Sequence, residues 1–249
     1  MRHPLIERLT PAQRSLLALK LAGKRHGGRD STSTQSESRG EEEREFPLSF
    51  AQEGIWILDR LAGDEAALNM PAAVRLSGPV ATPVLEEAFN QIVRHHEILR
   101  TTIHGTPDGP RQIVHPAFRA EIRQTDISSE PSGRREASLQ HHIGADARRR
   151  FAPDRLPLFS LHMIRTAPDE QVLIVVLHHL IADGWSVGVL IQELNTRYMA
   201  SLGGSTRISN PLPLKYRQYC VRQKQERHGQ KWAGELAYWR DQLSEPPPL

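Results

Sequence analysis

The sequence predicts an α/β (α+β) sandwich, a mixed sheet flanked by helices, and three observations point to it. Val172 to His179 is a continuous apolar run with three valines, of the kind that forms a strand buried on both faces of a sheet. Ala72, Val74 and Leu76 alternate with small or polar residues, as one half-buried strand would. Thr82 to Arg100 and Val187 to Tyr198 place their apolar residues at helical spacing instead. Strands interspersed with helices in one chain bury their apolar faces against each other in layers.

Composition is compatible with one sizeable core or two small ones: 249 residues, 38% hydrophobic and 24% charged. The single cysteine, Cys220, cannot form an internal disulfide, so a reducing, cytoplasmic setting is expected. The apolar run Val172 to Leu177 is far short of the roughly 20 residues that cross a bilayer, and Met1 to Thr10 holds no signal-peptide core. Of 32 basic residues five are lysine, leaving 27 arginines and a net charge of +3. Arg148 to Arg150 is the densest basic run, and without interleaved aromatics it reads as a solvated face. Neither a nucleic acid nor a membrane is expected as partner.

Taken in order, the chain opens with a helix at Leu9 to Leu21, with Thr10 as N-cap, Pro11 in the first helical position, Gln13 closing a capping box and Gly23 as a stop. This amphipathic segment, 1–23, either docks on a partner or lies on its own domain. Residues 24–45 are polar and cannot repay the entropy of ordering, so a disordered linker is expected. Patterned sequence then runs through 46–249 as one folded unit. After the strand around 72–76, stopped by Gly78, a helix is expected from Thr82 as N-cap and Pro83 to about Arg100, with Leu85, Phe89, Ile92, Val93, His96 and Leu99 facing inward. Short strands are expected at 112–115 and 159–165. The buried strand follows, and then a helix capped by Ser186 with Val187, Leu190, Ile191, Leu194 and Tyr198 on its inner side.

The chemistry gathers at the end of the buried strand, His178-His179-Leu180-Ile181-Ala182-Asp183-Gly184-Trp185-Ser186. Successive strand side chains point to opposite faces, so the two histidines cannot share a role. His178 is expected to be a hydrogen-bonded core residue and His179 to face a cleft. Gly184 lets backbone approach a ligand closely beside a helix N-terminus, where negative charge is favoured. No metal site is expected here, because adjacent histidines diverge on a strand and no further Cys or His follows at ligand spacing. Arg100 extends the stripe of Phe89, Val93 and His96. It is expected to pair with Asp183, which would then be a structural organiser kept ionised by its partner. The alternative is that Arg100 reaches solvent past the helix end.

His178 to Ser186, HHLIADGWS, resembles the HHxxxDG signature of condensation domains of nonribosomal peptide synthetases, in the chloramphenicol acetyltransferase-like superfamily. Leu48 to Leu61, LSFAQEGIWILDRL, resembles the family's opening motif; Arg94 to Ile103, RHHEILRTTI, its second; Leu214 to Val221, LKYRQYCV, its fourth, followed by a family-like AYWRDQL at Ala237 to Leu243. Four motifs in register are far more specific than one. The chain departs from the pattern at His95, where the family often has arginine, and around Cys220 to Arg222, where it commonly has tryptophan. Trp185 preceding Ser186 resembles condensation rather than epimerisation relatives, and the Ser-Phe-Ala-Gln opening resembles domains taking an L-configured donor.

The resemblance implies amide-bond formation between two thioesters. Each would ride on the phosphopantetheine arm of a carrier domain, and no cofactor would be bound directly. The implied partners are upstream and downstream peptidyl carrier domains and adjoining synthetase domains. His179 would orient the attacking amine and take its proton, a task that suits an imidazole; the Gly184 N–H would help hold the oxyanion. Family domains have two lobes in a V, so the chain is expected to hold the N-terminal lobe and a connecting helix, with an apolar inter-lobe face exposed. Two other readings are a stand-alone acyl-thioester-dependent acyltransferase and a noncatalytic docking fragment.

Overall fold

The computed structural model describes residues 45–62, 66–203, 214–227 and 230–244. The helix and linker expected before Glu45 lie outside the described residues. In chain order the elements are β1 (Glu45–Pro47), α1 (Phe50–Ala62), β2 (Asn69–Ser77), α2 (Thr82–His95), β3 (Thr101–Thr106), β4 (Gly109–Val114), β5 (Arg123–Asp126), α3 (Ser132–Ala147), β6 (Phe159–Ala167), β7 (Glu170–His178), α4 (Gly184–Ser201), α5 (Tyr216–Glu226) and α6 (Gln230–Gln242). Short 3-10 turns at Ala66–Leu68 and Glu97–Arg100 lead into β2 and β3.

The apolar run at 172–178 is central because both of its faces are covered. It lies inside a four-stranded sheet ordered β2-β7-β6-β5, antiparallel except for the parallel β5–β6 pair. Leu173, Val175 and Leu177 pack under α2 and α4 with Phe89, Ile92, Leu190 and Leu194. Val172, Ile174 and Val176 pack on the opposite face with Leu139 of α3. The period of two thus sends alternate residues into two separate cores, which is why no polar position interrupts the run. Strand β2, at the sheet edge, keeps the expected alternation, half-buried at Ala72, Val74 and Leu76 and exposed at Ala73 and Arg75. A second, antiparallel sheet, β1-β4-β3, lies beside a small core of Leu48, Trp56, Ile103 and Leu180. The mixed sheet flanked by helices is therefore present.

Three local expectations need correction. Helix α2 ends at His95 and not near Arg100: His96 turns extended (φ −99°, ψ 103°), and the 3-10 turn hands the chain to β3. The buried β-branched run Thr101, Thr102 and Ile103 pairs with β4, and this sheet pairing outcompetes continued helix. Thr82 is the first helical residue and not the cap; Ala81 precedes it and donates its amide to the Tyr198 hydroxyl of α4 at 3.0 Å. Helix α4 starts two residues before Ser186, as described below. Helix α3 has no counterpart in the sequence expectations, and its only buried apolar residue is Leu139. No helix among the described residues is long and apolar enough to cross a membrane.

Candidate active site

Helix α1 supplies the scaffold for the loop that follows β7. Its start is a capping box: the Gln52 amide donates to Ser49 Oγ and the Ser49 amide donates to Gln52 Oε1, each at 3.1 Å. With its oxygen so engaged, Gln52 has its Nε2 free to donate to the Leu180 carbonyl at 3.0 Å, inside the signature loop. Two turns along the same face, Asp59 accepts from His178 Nε2 at 3.2 Å. The other ring nitrogen of His178 accepts from the Leu180 amide at 3.2 Å. An accepting Nδ1 carries no proton, so Nε2 must carry it and donate to the Asp59 carboxylate. His178 is 3% exposed and both of its nitrogens are satisfied inside the protein.

His179 is held differently. Its amide donates to the Leu68 carbonyl at 2.8 Å, and its Nδ1 lies 2.8 Å from the Ala182 carbonyl oxygen. A carbonyl only accepts, so Nδ1 holds a proton, and in the neutral imidazole Nε2 is the nitrogen with the free lone pair. The residue is half-buried. Loop geometry thus produces a fixed tautomer whose basic nitrogen is the distal one.

Asp183 closes the loop as the N-cap of α4. It accepts from the Ser186 hydroxyl at 2.6 Å and the Ser186 amide at 2.8 Å, and these bonds hold its carboxyl below the usual carboxylate range. Asp183 and not Ser186 caps the helix, because the side chain whose oxygen reaches the third helical amide comes three residues earlier. Arg100 does not pair with Asp183. Its guanidinium donates to the His115 carbonyl and lies 3.7 Å from Glu97, the break at His96 having rotated it off the α2 stripe. Glu97, 9% exposed, also binds Lys215 at 2.9 Å and Arg217 at 3.1 Å, which ties the second motif to the start of α5. The two roles that sequence spacing joined are therefore filled by two separate clusters.

Gly184 is the first residue of α4, exposed, and a Cβ built there meets nothing within 4 Å. Neither crowding nor a positive φ within the chain requires glycine at this position, so its effect is to leave the space before the helix start clear. The first amides of a helix have no intrahelical acceptor. Beside them Trp185 stands 83% exposed. It borders an apolar pocket of about 180 Å³, which Ile181, Ala182, Val189, Leu190 and His96 help to line. The loop thus carries a distal imidazole nitrogen and free backbone donors, while its Ala182, Trp185 and Ser186 border an apolar recess that His179 itself does not line.

Gln52 and Asp59 are the supporting residues that motif spacing does not single out. Their signal is present all the same: polar residues at i and i+7, with Trp56 between them, on a helix face that otherwise faces inward.

A family model described as Condensation domain matches residues 42–249. One of the linear gramicidin synthase proteins of Brevibacillus parabrevis is 35% identical over an alignment of 250 positions, which covers 100% of this chain and 5% of that protein. Phosphinothricin tripeptide synthetase PhsC of Streptomyces viridochromogenes is 29% identical, covering 98% of this chain and 22% of its own length. Among solved structures, the starter condensation domain of rhizomide synthetase RzmA superposes with a TM-score of 0.73 at 24% identity, over 82% of this chain and 48% of that one. The chain thus spans about half the length of that domain and a small part of the synthetases it matches.

Proposed function

The chain belongs to the condensation-domain family, and from that premise we propose that it forms amide bonds between carrier-bound aminoacyl or peptidyl thioesters within a nonribosomal peptide synthetase. The observation that carries this reading is the tautomer of His179, whose Nδ1 is committed to the Ala182 carbonyl so that Nε2 is free to accept a proton. The attacking amine adds to the donor thioester carbon, the C–N bond forms, and its proton passes to His179 Nε2. Collapse of the intermediate breaks the C–S bond, and the departing thiolate takes the proton from the imidazolium. An α-amino group titrates near 8, so a sizeable fraction is already neutral near pH 7. What His179 must supply is orientation and a proton acceptor as the N–C bond forms. The Gly184 N–H, at the positive end of α4, would face the oxyanion. His178, Asp183 and Arg100 act structurally: His178 anchors the loop to α1, Asp183 starts α4, and Arg100 belongs to the Glu97 cluster.

Phosphopantetheine enters this reading only as the substrates' tether on upstream and downstream carrier domains. The half-length match to the solved domain supports the view that the chain provides the histidine-bearing half of a site between two lobes, with adjoining synthetase domains completing it. The test is transfer of a labelled aminoacyl group from a donor carrier protein to an aminoacyl acceptor carrier, with this segment in its intact synthetase. Label is expected on the acceptor carrier, and base cleavage of that carrier's thioester should release it as a labelled dipeptide and not as the free labelled amino acid. Label that stays on the donor, or moves only to a small alcohol or free amine, would contradict the reading and favour the stand-alone acyltransferase.

A further inference from the structure

We propose that His95, His96 and Glu193 form a site for a divalent transition-metal ion, Zn²⁺ being the one this donor set suits. The three residues come from the end of α2 and the middle of α4, and one donor atom from each lies within 4.8 Å of the others. Adjacent histidines diverge on a strand, but here the backbone passes from helix at His95 to extended at His96, and the change swings the two rings together. Their centroids are 4.8 Å apart with the planes at 90°. His96 Nε2 is already 2.6 Å from Glu193 Oε2. His95 Nε2 is buried and has no hydrogen-bond partner among the described residues, an arrangement that leaves a polar atom short of its partner.

The surroundings orient the carboxylate. Arg197 Nε and Nη2 both hold Glu193 Oε1, at 2.9 and 2.6 Å, leaving Oε2 turned towards the histidines. Ligating carboxylates are characteristically fixed by such outer hydrogen bonds. Arg197 also neutralises the carboxylate, so the site is a modest binder and not a structural centre on which folding depends. Two histidines and one carboxylate with an open fourth position is a donor set known for zinc. With bonds of about 2.0–2.1 Å, tetrahedral ligands stand about 3.3 Å apart, so the His96–Glu193 pair, now at 2.6 Å, must open by about 0.7 Å and His95 must close in. An ion there would clamp α2 to α4 at the edge of the apolar pocket, which His96 lines.

The site does not use His179 or the Gly184 amide, and its test needs no substrate. The full chain is titrated with Zn²⁺ against a chromophoric chelator, and with Co²⁺ while visible absorption is followed. The expected result is one ion per chain with a Co²⁺ band of tetrahedral intensity. Binding should weaken at least about tenfold in both His95→Gln and Glu193→Gln, with unchanged far-UV circular dichroism. A Zn²⁺-dependent rise in the wild-type melting temperature is expected as well, because an ion that binds only the folded chain stabilises it. Absence of stoichiometric binding, or affinity unchanged in the two variants, would overturn the proposal, since the ion would then sit on other histidines or nowhere.

Discussion

His178 and His179 are neighbours held in opposite ways, and the difference lies in what each ring nitrogen touches. His178 spends both nitrogens on Asp59 and the Leu180 amide, whereas His179 spends one on the Ala182 carbonyl and keeps the other. That the two should differ is expected from strand alternation, but His179 lies one residue past the end of β7, and the loop sets its position. Which partners impose the difference is not legible, because Asp59 lies 119 residues away in the chain. Asp183 shows a different limit. Asp183 and Ser186 are both good capping types three residues apart, and propensity cannot say which one caps and which one donates. The structure makes the aspartate the cap, and this has a pH signature. Its folded pKa is depressed by the two Ser186 bonds, so its contribution is complete above the unfolded value of about 3.9 and is lost as pH falls through the lower folded value. Asp183→Ala should cost about 0.5–2 kcal/mol in urea unfolding at neutral pH. The gap to wild type should stay constant down to about pH 5 and narrow below about pH 4. A gap that widens on acidification would contradict this assignment.

Among the elements, strong periodicity is legible and weak periodicity is not. Strand β7, the half-buried β2 and the inner stripe of α4 follow from spacing, because each buries a regular set of apolar side chains. Helix α3 is silent in the pattern, since one buried leucine makes no stripe. The end of α2 is misplaced by spacing because Leu99 and Arg100 continue a 3.6-residue pattern across the break, and no glycine or proline marks His96. Helix α1 carries the most testable structural claim, that it holds the signature loop through Gln52 and Asp59. Asp59→Ala leaves the inward Nε2–H of His178 without its acceptor, and a buried donor left unpaired costs about 1–3 kcal/mol. Urea denaturation should show a loss of that size. A change within experimental scatter would mean that the loop is anchored elsewhere.

At the scale of the whole molecule, the helices packed around the mixed sheet bring one end of β7 to the start of α4, the place where open α/β arrangements commonly offer a crevice. The family is shown by the match over 42–249, and the proposed chemistry rests on His179 and the start of α4. Exposed Trp185, Val189, Tyr238 and Trp239 show how much apolar surface the described residues leave uncovered. The central claim is that His179 Nε2 receives the amine proton. The direct measurement is the single-turnover rate of amide formation between loaded carrier proteins by the intact synthetase carrying His179→Ala, compared with wild type at equal carrier loading. The account predicts a fall of about 10² to 10⁴-fold. Circular dichroism and melting temperature should be unchanged, since the residue is half-buried and its ring makes one loop bond. A rate within a few-fold of wild type would contradict the role assigned to His179.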